Sequence, residues 1–209
     1  MDLLSMLQSQ LSDDVLQQLS RQVDAAPDQT ASATNSIFAA LVGGLAGNTA
    51  SSENGLQSLV MALDRDHDGS ILDDLGGVIA LMGSGNATDS RALNGAGILS
   101  HILGERQEMV AQQIGQSTGL STQQIIKLMS LLAPIVMAVL GRMRQSGQLD
   151  MGGLLQALVG AAQNAQSSGH GDLVGTLLST VLSGRQAQQS QSDEGGLLGG
   201  LLGSLLGKR

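Results

Sequence analysis

The sequence has no cysteine, tryptophan or tyrosine, and only one phenylalanine, among 209 residues. Without cysteine the chain has no disulfide framework, zinc–thiolate site or thiol nucleophile. With almost no aromatic residues, its core has to be built from Leu, Ile, Val, Met and Ala, a set that suits helices. The few β-branched residues do not alternate with polar ones, as half-buried strands would require. The sequence therefore predicts an all-α protein.

Positive charge is also scarce, because ten Lys and Arg stand against 18 Asp and Glu and give a formal net charge of −8. This balance argues against nonspecific nucleic-acid binding, which depends on Lys and Arg neutralising phosphates. The first residues, MDLLSMLQSQLSDD, have no basic region, long apolar core or small-residue cleavage site. No uninterrupted apolar run approaches the roughly 20 residues that cross a bilayer. We therefore expect a cytoplasmic protein without a signal peptide or transmembrane segment.

Apolar residues at helical spacing predict a helical hairpin over about residues 1–50. A turn containing Pro27 separates its two helices, and Gly47-Asn48 is typical of a helix end. Two further helices flank an aspartate-rich stretch, and Ser51 or Ser52 is expected to cap the first of them. Further along the chain, a short helix and a longer helix are predicted before a turn at Gly119, and a strongly apolar helix after it. Two weaker helices are predicted at 151–165 and 172–182.

The sequence contains an internal repeat. SIFAALVGGLAG, residues 36–47, aligns with SLLAPIVMAVLG, residues 130–141, at an offset of 94. Each piece ends a segment in which Gln-Gln precedes a turn and an apolar helix. A duplicated helical hairpin, about 1–50 and 98–145, explains the match. Chance similarity between two helices rich in Ala and Leu is the alternative.

The predicted domain organisation is a helical domain over 1–182, a flexible polar linker over 183–196 and a Gly/Leu-rich tail over 197–209. A helical tail would have one leucine face and one nearly bare glycine face. Each glycine destabilises a helix by up to about 1 kcal/mol relative to alanine, so the tail needs a partner. We predict a homo-oligomer formed through the tail, whose glycine spacing permits close helix contact. Docking against the chain's own body and weak membrane-surface contact are the alternatives.

An aspartate-rich stretch, DRDHDGSILDDL at residues 64–75, is similar to a calcium-binding loop of the EF-hand type. Such a loop places oxygen ligands at positions 1, 3 and 5, a glycine at 6, a backbone carbonyl at 7 and a bidentate carboxylate at 12. Oxygen-only ligands favour Ca²⁺, with Mg²⁺ as the second choice. The candidate metal ligands are Asp64, Asp66, Asp68, Ser70 through its carbonyl, Asp73 and Asp74.

The end of this stretch departs from the EF-hand pattern. Position 12 is Leu75, so Asp73 or Asp74 would have to close the shell early, which predicts a weak affinity of about 10⁻⁵ to 10⁻³ M. His67 would point away from the metal and lie in solvent. The alternative is a polar turn with Asp73 and Asp74 at a helix N-terminus. That alternative leaves the other three aspartates repelling one another without a cation.

The stretch IGQSTGLSTQQIIKLM, residues 114–129, has the outline of a helix-turn-helix that could bind DNA. Gln123 and Gln124 could contact bases, but Lys127 is the only cation on the candidate recognition helix. An ordinary helical hairpin is therefore the favoured interpretation, and a nucleic-acid-binding regulator is the alternative function.

No catalytic motif stands out in the sequence. His101 and His170 have no partner at HExxH or triad spacing. The sequence also contains no GxSxG and no Gly-rich loop that ends in GK[ST]. We therefore expect a protein that is not an enzyme.

Several motifs together resemble the bacterial domain-of-unknown-function family DUF937, a relative of the YidB-like helical proteins. They are GILSHILGERQEMVAQQIGQSTGLS, the Ala-Pro of LLAPIVMAVLG, the aspartate-rich loop and the Gly-Leu tail. The resemblance covers roughly residues 1–182 and implies a small all-helical bacterial protein, but no activity. With the residue patterns, we expect a non-enzymatic protein that binds a divalent cation, with structural calcium as the first choice, and that associates with itself as a scaffold.

Overall fold

The structure, a computed structural model, describes residues 3–51, 54–84 and 91–165. These residues form α-helices and three short 3-10 turns and contain no β-strand, so the all-α prediction is confirmed. The 3-10 turns are Ser70–Asp74, Arg91–Leu93 and Gly104–Arg106. The helices are α1 (Leu3–Ser9), α2 (Asp13–Val23), α3 (Pro27–Ser51), α4 (Gly55–Asp66), α5 (Leu75–Gly83), α6 (Gly95–Leu103), α7 (Gln107–Thr118), α8 (Thr122–Gln145) and α9 (Met151–Ala165).

The two long helices α3 and α8 pack against each other at the centre of the fold. Helix α3 is buried at most positions from Thr30 to Thr49, and α8 is buried at every position from Leu131 to Gly141. A helix that is apolar on all sides belongs in the interior, which is why these two segments lack a polar face. The other helices cover them and carry the polar surface.

Helix α8 is the one helix among the described residues that is long and apolar enough to cross a membrane, with a mean hydropathy of 1.9 over an 18-residue window. However, 78% of that window is buried inside the folded body. The core helix of a folded protein passes the same test of length and composition. The cytoplasmic location therefore stays a prediction.

Helix α6 approaches both central helices very closely. Pro134 has no N–H, so the carbonyl of Ser130 in α8 loses its usual helical hydrogen bond. Gly95 of α6 packs against this carbonyl, and a Cβ at Gly95 would lie 1.7 Å from the Ser130 oxygen. On the other side, a Cβ at Gly44 of α3 would lie 2.8 Å from the Ile102 side chain. Glycine at these two positions therefore lets α6 pack closely against both α8 and α3.

The predicted end of the first hairpin at Gly47-Asn48 is wrong. Helix α3 continues to Ser51, because Gly47 keeps a helical backbone and Asn48 is held by α6. The Asn48 amide donates hydrogen bonds to the carbonyls of His101 and Ile102, both at 3.0 Å. Ser51 therefore ends α3 and does not cap α4.

The helices predicted around Gly119 and at 151–165 are present. Gly119 ends α7 with a φ of 76°, and Ser121 begins α8 in a capping box with Gln124. Such a box satisfies two backbone N–H groups at the start of the helix. Helix α9 has the predicted bounds. The predicted helix at 172–182, the linker at 183–196 and the tail at 197–209 lie outside the described residues.

Helix bounds recur at the offset of the sequence repeat. Shifted by 94 positions, α2 falls on residues 107–117 and α3 on residues 121–145, which are nearly the bounds of α7 and α8. Agreement of this kind is expected if one hairpin was copied, although two hairpins with similar helix lengths would also produce it. The duplication therefore stays a prediction.

Candidate functional site

The aspartate-rich loop connects α4 to α5 and packs against the C-terminal part of α8. Two glycines allow this close approach. Gly69 has a φ of 85°, which favours glycine, and a Cβ there would lie 2.7 Å from the Arg142 Cβ. A Cβ at Gly141 would lie 1.7 Å from the carbonyl oxygen of His67. The loop backbone therefore rests directly on the backbone of α8.

Two arginines of α8 pair with carboxylates of this loop. Asp64 accepts hydrogen bonds from Nε and Nη2 of Arg144, at 2.6 and 2.9 Å. Asp73 accepts one from Nη2 of Arg142 at 2.6 Å, and the same nitrogen donates to the Gly69 carbonyl at 2.8 Å. Both ion pairs are partly exposed, so solvent screens them and their contribution to stability is small. The positive charges of the two arginines nevertheless reduce the repulsion among the loop aspartates.

Two other loop aspartates bind backbone groups. Asp68 accepts a hydrogen bond from the N–H of Ser70 at 2.9 Å, and Asp74 accepts one from the N–H of Gly77 at 3.0 Å. Asp74 therefore caps α5, as the polar-turn interpretation predicts. Hydrogen bonds from Ser70 lower the pKa of Asp68, and the hydrogen bond from Arg144 lowers the pKa of Asp64.

Four of the predicted metal ligands, Asp64, Asp68, Asp73 and Asp74, thus bind four different groups of the protein itself. Among the described residues, no group of three or more His, Asp or Glu side chains lies close enough together to hold one ion. A cation bound at this loop would have to draw Asp64 away from Arg144, and drawing in Asp73 would cost its contact with Arg142. Cation binding stays a prediction, and competition with the arginines gives a way to test it.

We expect calcium to raise the melting temperature of an Arg142→Gln, Arg144→Gln variant more than that of the wild type. The substitutions release Asp64 and Asp73 for a cation, and a ligand that binds only the folded state stabilises it. Circular dichroism during heating, with and without millimolar calcium, measures the difference. Adding Asp64→Ala to the double variant should cancel the gain. Equal shifts in the wild type and both variants would contradict the cation site.

His67 is buried, so its predicted position in solvent is wrong. Its exposed fraction is 6%, because its backbone rests on Gly141 and its side chain turns inward. Burial lowers the pKa of His67, which leaves the imidazole neutral at neutral pH. Its Nδ1 atom is buried and has no hydrogen-bond partner among the described residues. An unpaired buried polar atom destabilises a fold by about 1–3 kcal/mol.

His67 lines a groove between α3, α4 and α6, with a volume of about 600 Å³. We call it the His67 groove. Asp66, Arg91 and His101 add polar groups to its lining. A cavity of this size with apolar walls and a few polar groups is typical of binding sites. Its apolar walls are formed by Leu45, Leu59, Ala62, Ile98, Ile102 and Met137.

Two polar residues of the candidate helix-turn-helix, Gln124 and Lys127, have partners inside the fold. Gln124 donates to the carbonyls of Val23 and Asp24, at 2.9 and 3.1 Å. Lys127 donates to the carbonyl of Gln22. The start of α8 therefore lies against α2, and the one cation of the candidate recognition helix is held there. This geometry does not favour DNA binding, and the absence of such binding stays a prediction.

Sequence reasoning missed the contacts of Arg142 and Arg144 with the loop and the burial of His67. The position of the arginines was a signal that they pair with the acidic loop. They lie two residues apart at the end of the most apolar predicted helix, in a chain that has only ten Lys and Arg. No signal in the sequence indicated that His67 is buried, because its neighbours Asp66 and Asp68 are charged. The tertiary contact with Gly141 turns it inward.

The fold and the site define a small all-helical protein with an arginine-paired acidic loop beside an apolar groove. A family model described as bacterial protein of unknown function (DUF937) matches residues 5–143, about two thirds of the chain. The chain belongs to this family, as the sequence motifs predict, and the matched region contains both the loop and the groove. Its relation to the YidB-like proteins stays a prediction. No curated protein and no solved structure matches the chain.

Proposed function

We propose that this protein is a non-enzymatic scaffold in which two copies exchange their Gly/Leu tails, residues 197–209, each tail binding in the His67 groove of the other copy. The observation that carries the proposal is the groove itself, with its apolar walls. The tail supplies the complementary part, an apolar segment joined to the body by a polar linker.

The composition of the tail suits an apolar groove. Its leucines occur in pairs at 197–198, 201–202 and 205–206, a spacing of four that puts them on one face of a helix. Amphipathic helices bind in hydrophobic grooves through such a face. Burial of each leucine contributes about 1.5–3 kcal/mol, which offsets the roughly 1 kcal/mol that each glycine costs the helix.

Charge also favours this occupant. The chain has a net charge of −8, whereas the tail ends in the cations Lys208 and Arg209. Asp66 lies in the lining of the groove and offers a carboxylate to them, whereas Arg91 of the same lining favours keeping them at the Asp66 end. Complementary charges of this kind speed up association and help to fix the orientation of the bound segment.

An exposed stripe on α9 favours a second copy over the chain's own tail. Met151, Leu155 and Val159 follow one another at intervals of four, with exposed fractions of 47%, 36% and 38%. Docking of a tail within one chain leaves this stripe in water, whereas pairing of two bodies can cover it. Exchange of identical elements is also a low-cost route to a dimer, because both grooves are filled.

We expect wild-type protein to have a mass of about twice 21.3 kDa and a Leu201→Glu, Leu205→Glu variant to be monomeric. The two carboxylates cannot be buried against the apolar walls without a large desolvation cost. Light scattering coupled to size exclusion measures both masses on the full-length chain. The matched control is Gln188→Glu, Gln191→Glu in the linker, which adds the same charge and should remain dimeric. A wild-type monomer, or equal masses for wild type and tail variant, would overturn the proposal.

Two structural inferences accompany this proposal. We infer that α2–α3 and α7–α8 are copies of one hairpin, supported by their common offset of 94. The loop and α4, which form the site, then lie in the segment between the copies. We also infer weak divalent-cation binding at the loop, supported by the positive φ of Gly69 at the position where the EF-hand pattern has glycine.

A further inference from the structure

We infer that the His67 groove is also a binding site for short peptides that have apolar side chains and free, charged termini. The carboxylate of Asp66 binds the ammonium group of such a peptide, and the guanidinium of Arg91 binds its carboxylate. This inference assigns a free ligand to the groove, so it goes beyond the proposed exchange of tails and does not depend on it.

Two opposite charges in the groove lining have no partner. Asp66 and Arg91 both line the groove, and neither side chain makes a hydrogen bond or an ion pair within residues 3–51, 54–84 and 91–165. In particular, the two do not form an ion pair with each other. A ligand with an opposite charge at each end therefore provides a partner for both, and exposed His101 is a further hydrogen-bonding group of the same lining.

Other polar side chains of the lining already bind backbone groups. Asn48 donates to two carbonyls of α6, both at 3.0 Å. Thr49 donates to two carbonyls of its own helix α3, at 3.0 and 2.9 Å. Asn94 accepts a hydrogen bond from the N–H of Gly97 at 2.9 Å and so caps α6. These side chains hold the walls of the groove in place, and the charge that a ligand meets comes from other residues.

The size and walls of the groove favour a peptide of about three residues. Its volume of about 600 Å³ lies within the range of sites that bury a small organic ligand. Leu45, Leu59 and Ile98 offer apolar surface to the peptide side chains, whose burial favours binding. A fatty acid would satisfy Arg91 alone. A single amino acid carries both charges on one carbon atom, whereas the charges of the groove do not contact each other.

Calorimetric titration with the peptide Leu-Ala-Leu tests the site in the full-length Leu201→Glu, Leu205→Glu variant, whose groove is expected to be free of tails. Chelator in the buffer removes divalent cations from the loop. We expect binding that weakens about tenfold when the peptide carboxylate is amidated or its amine is acetylated, the size typical of one charge-assisted hydrogen bond. No binding at millimolar peptide, or equal binding of all three peptides, would overturn the inference.

Substitutions in the same background assign each end of the peptide to one residue. Arg91→Gln should weaken the binding of Leu-Ala-Leu about tenfold, and amidation should then have no further effect. Asp66→Asn should in the same way remove the response to acetylation. The matched control is Arg65→Gln, which changes an exposed arginine of α4 outside the groove and should keep both responses. If amidation still weakens binding to Arg91→Gln tenfold, Arg91 does not bind the peptide carboxylate and the assignment is wrong.

The wild-type protein shows which of the two proposals fails. Leu-Ala-Leu should compete with the tail and convert wild-type dimers into monomers, which analytical ultracentrifugation measures. If the wild type is a monomer without peptide, the tail exchange is wrong, while the calorimetry still decides on the peptide site. If the wild type dimerises through its tail but the tail variant binds no peptide, only the peptide site is wrong.

Discussion

Replacing Gly141 by alanine is expected to lower the free energy of unfolding by about 1–3 kcal/mol, the range for overpacking in a close-packed interior. The new Cβ would lie 1.7 Å from the carbonyl oxygen of His67, far inside any normal contact. The obstructing atom belongs to the backbone, so no side-chain rotation removes the clash. The loop has to move away from α8, which also strains the contacts of Arg142 and Arg144 with the loop.

Gly160→Ala is the matched control for this prediction. Gly160 also lies within a helix, but a Cβ there meets no atom within 4 Å. Alanine should therefore raise the free energy of unfolding by up to about 1 kcal/mol through helix propensity alone. Urea unfolding followed by circular dichroism measures both variants. If Gly141→Ala is as stable as Gly160→Ala, the loop does not rest on α8 as described.

Replacing Phe38 by alanine is expected to destabilise the protein by about 3–5 kcal/mol. Phe38 is the only aromatic residue of the chain and lies in the central helix α3 with an exposed fraction of 1%. Its removal leaves a cavity in the packed interior that the surrounding side chains fill only in part. Chemical unfolding at constant temperature gives the change directly.

Two further substitutions are controls for the Phe38→Ala prediction. Phe38→Leu keeps most of the apolar volume and should lose much less than Phe38→Ala. Met61→Ala removes a large side chain that is 60% exposed, and its effect should stay within about 0.5 kcal/mol. A loss of less than 1 kcal/mol in Phe38→Ala would mean that α3 is not the packed centre of the fold.

The positions of most helices could be predicted because their causes are local. Ser121 and Gln124 cap α8 within one turn, Gly119 ends α7 with a positive φ, and apolar spacing marks α9. Gly47-Asn48 failed as a helix end because its outcome depended on a distant element. Asn48 binds carbonyls of α6, more than 50 residues away, and α3 continues through it.

The candidate site was only partly predictable for the same reason. The acidic loop, its glycine and the capping role of Asp74 follow from short-range geometry. The partners of Asp64 and Asp73 lie 80 and 69 residues further along the chain, so spacing within the loop could not reveal them. Because the contacts with these arginines could not be predicted, a bound cation was the simplest explanation of how the aspartates avoid repelling one another.

The sequence by itself determined an all-α protein, because its leucines, alanines and methionines recur at helical spacing and aromatic and β-branched strand patterns are missing. Tertiary structure alone decided that Asp73 and Asp64 of the loop pair with Arg142 and Arg144 and that His67 is buried beside a groove. Helix formation depends on residues three or four positions apart. Charge compensation and burial depend on which helices pack together, and that is settled by contacts such as those of Gly141 with His67 and Gly95 with Ser130.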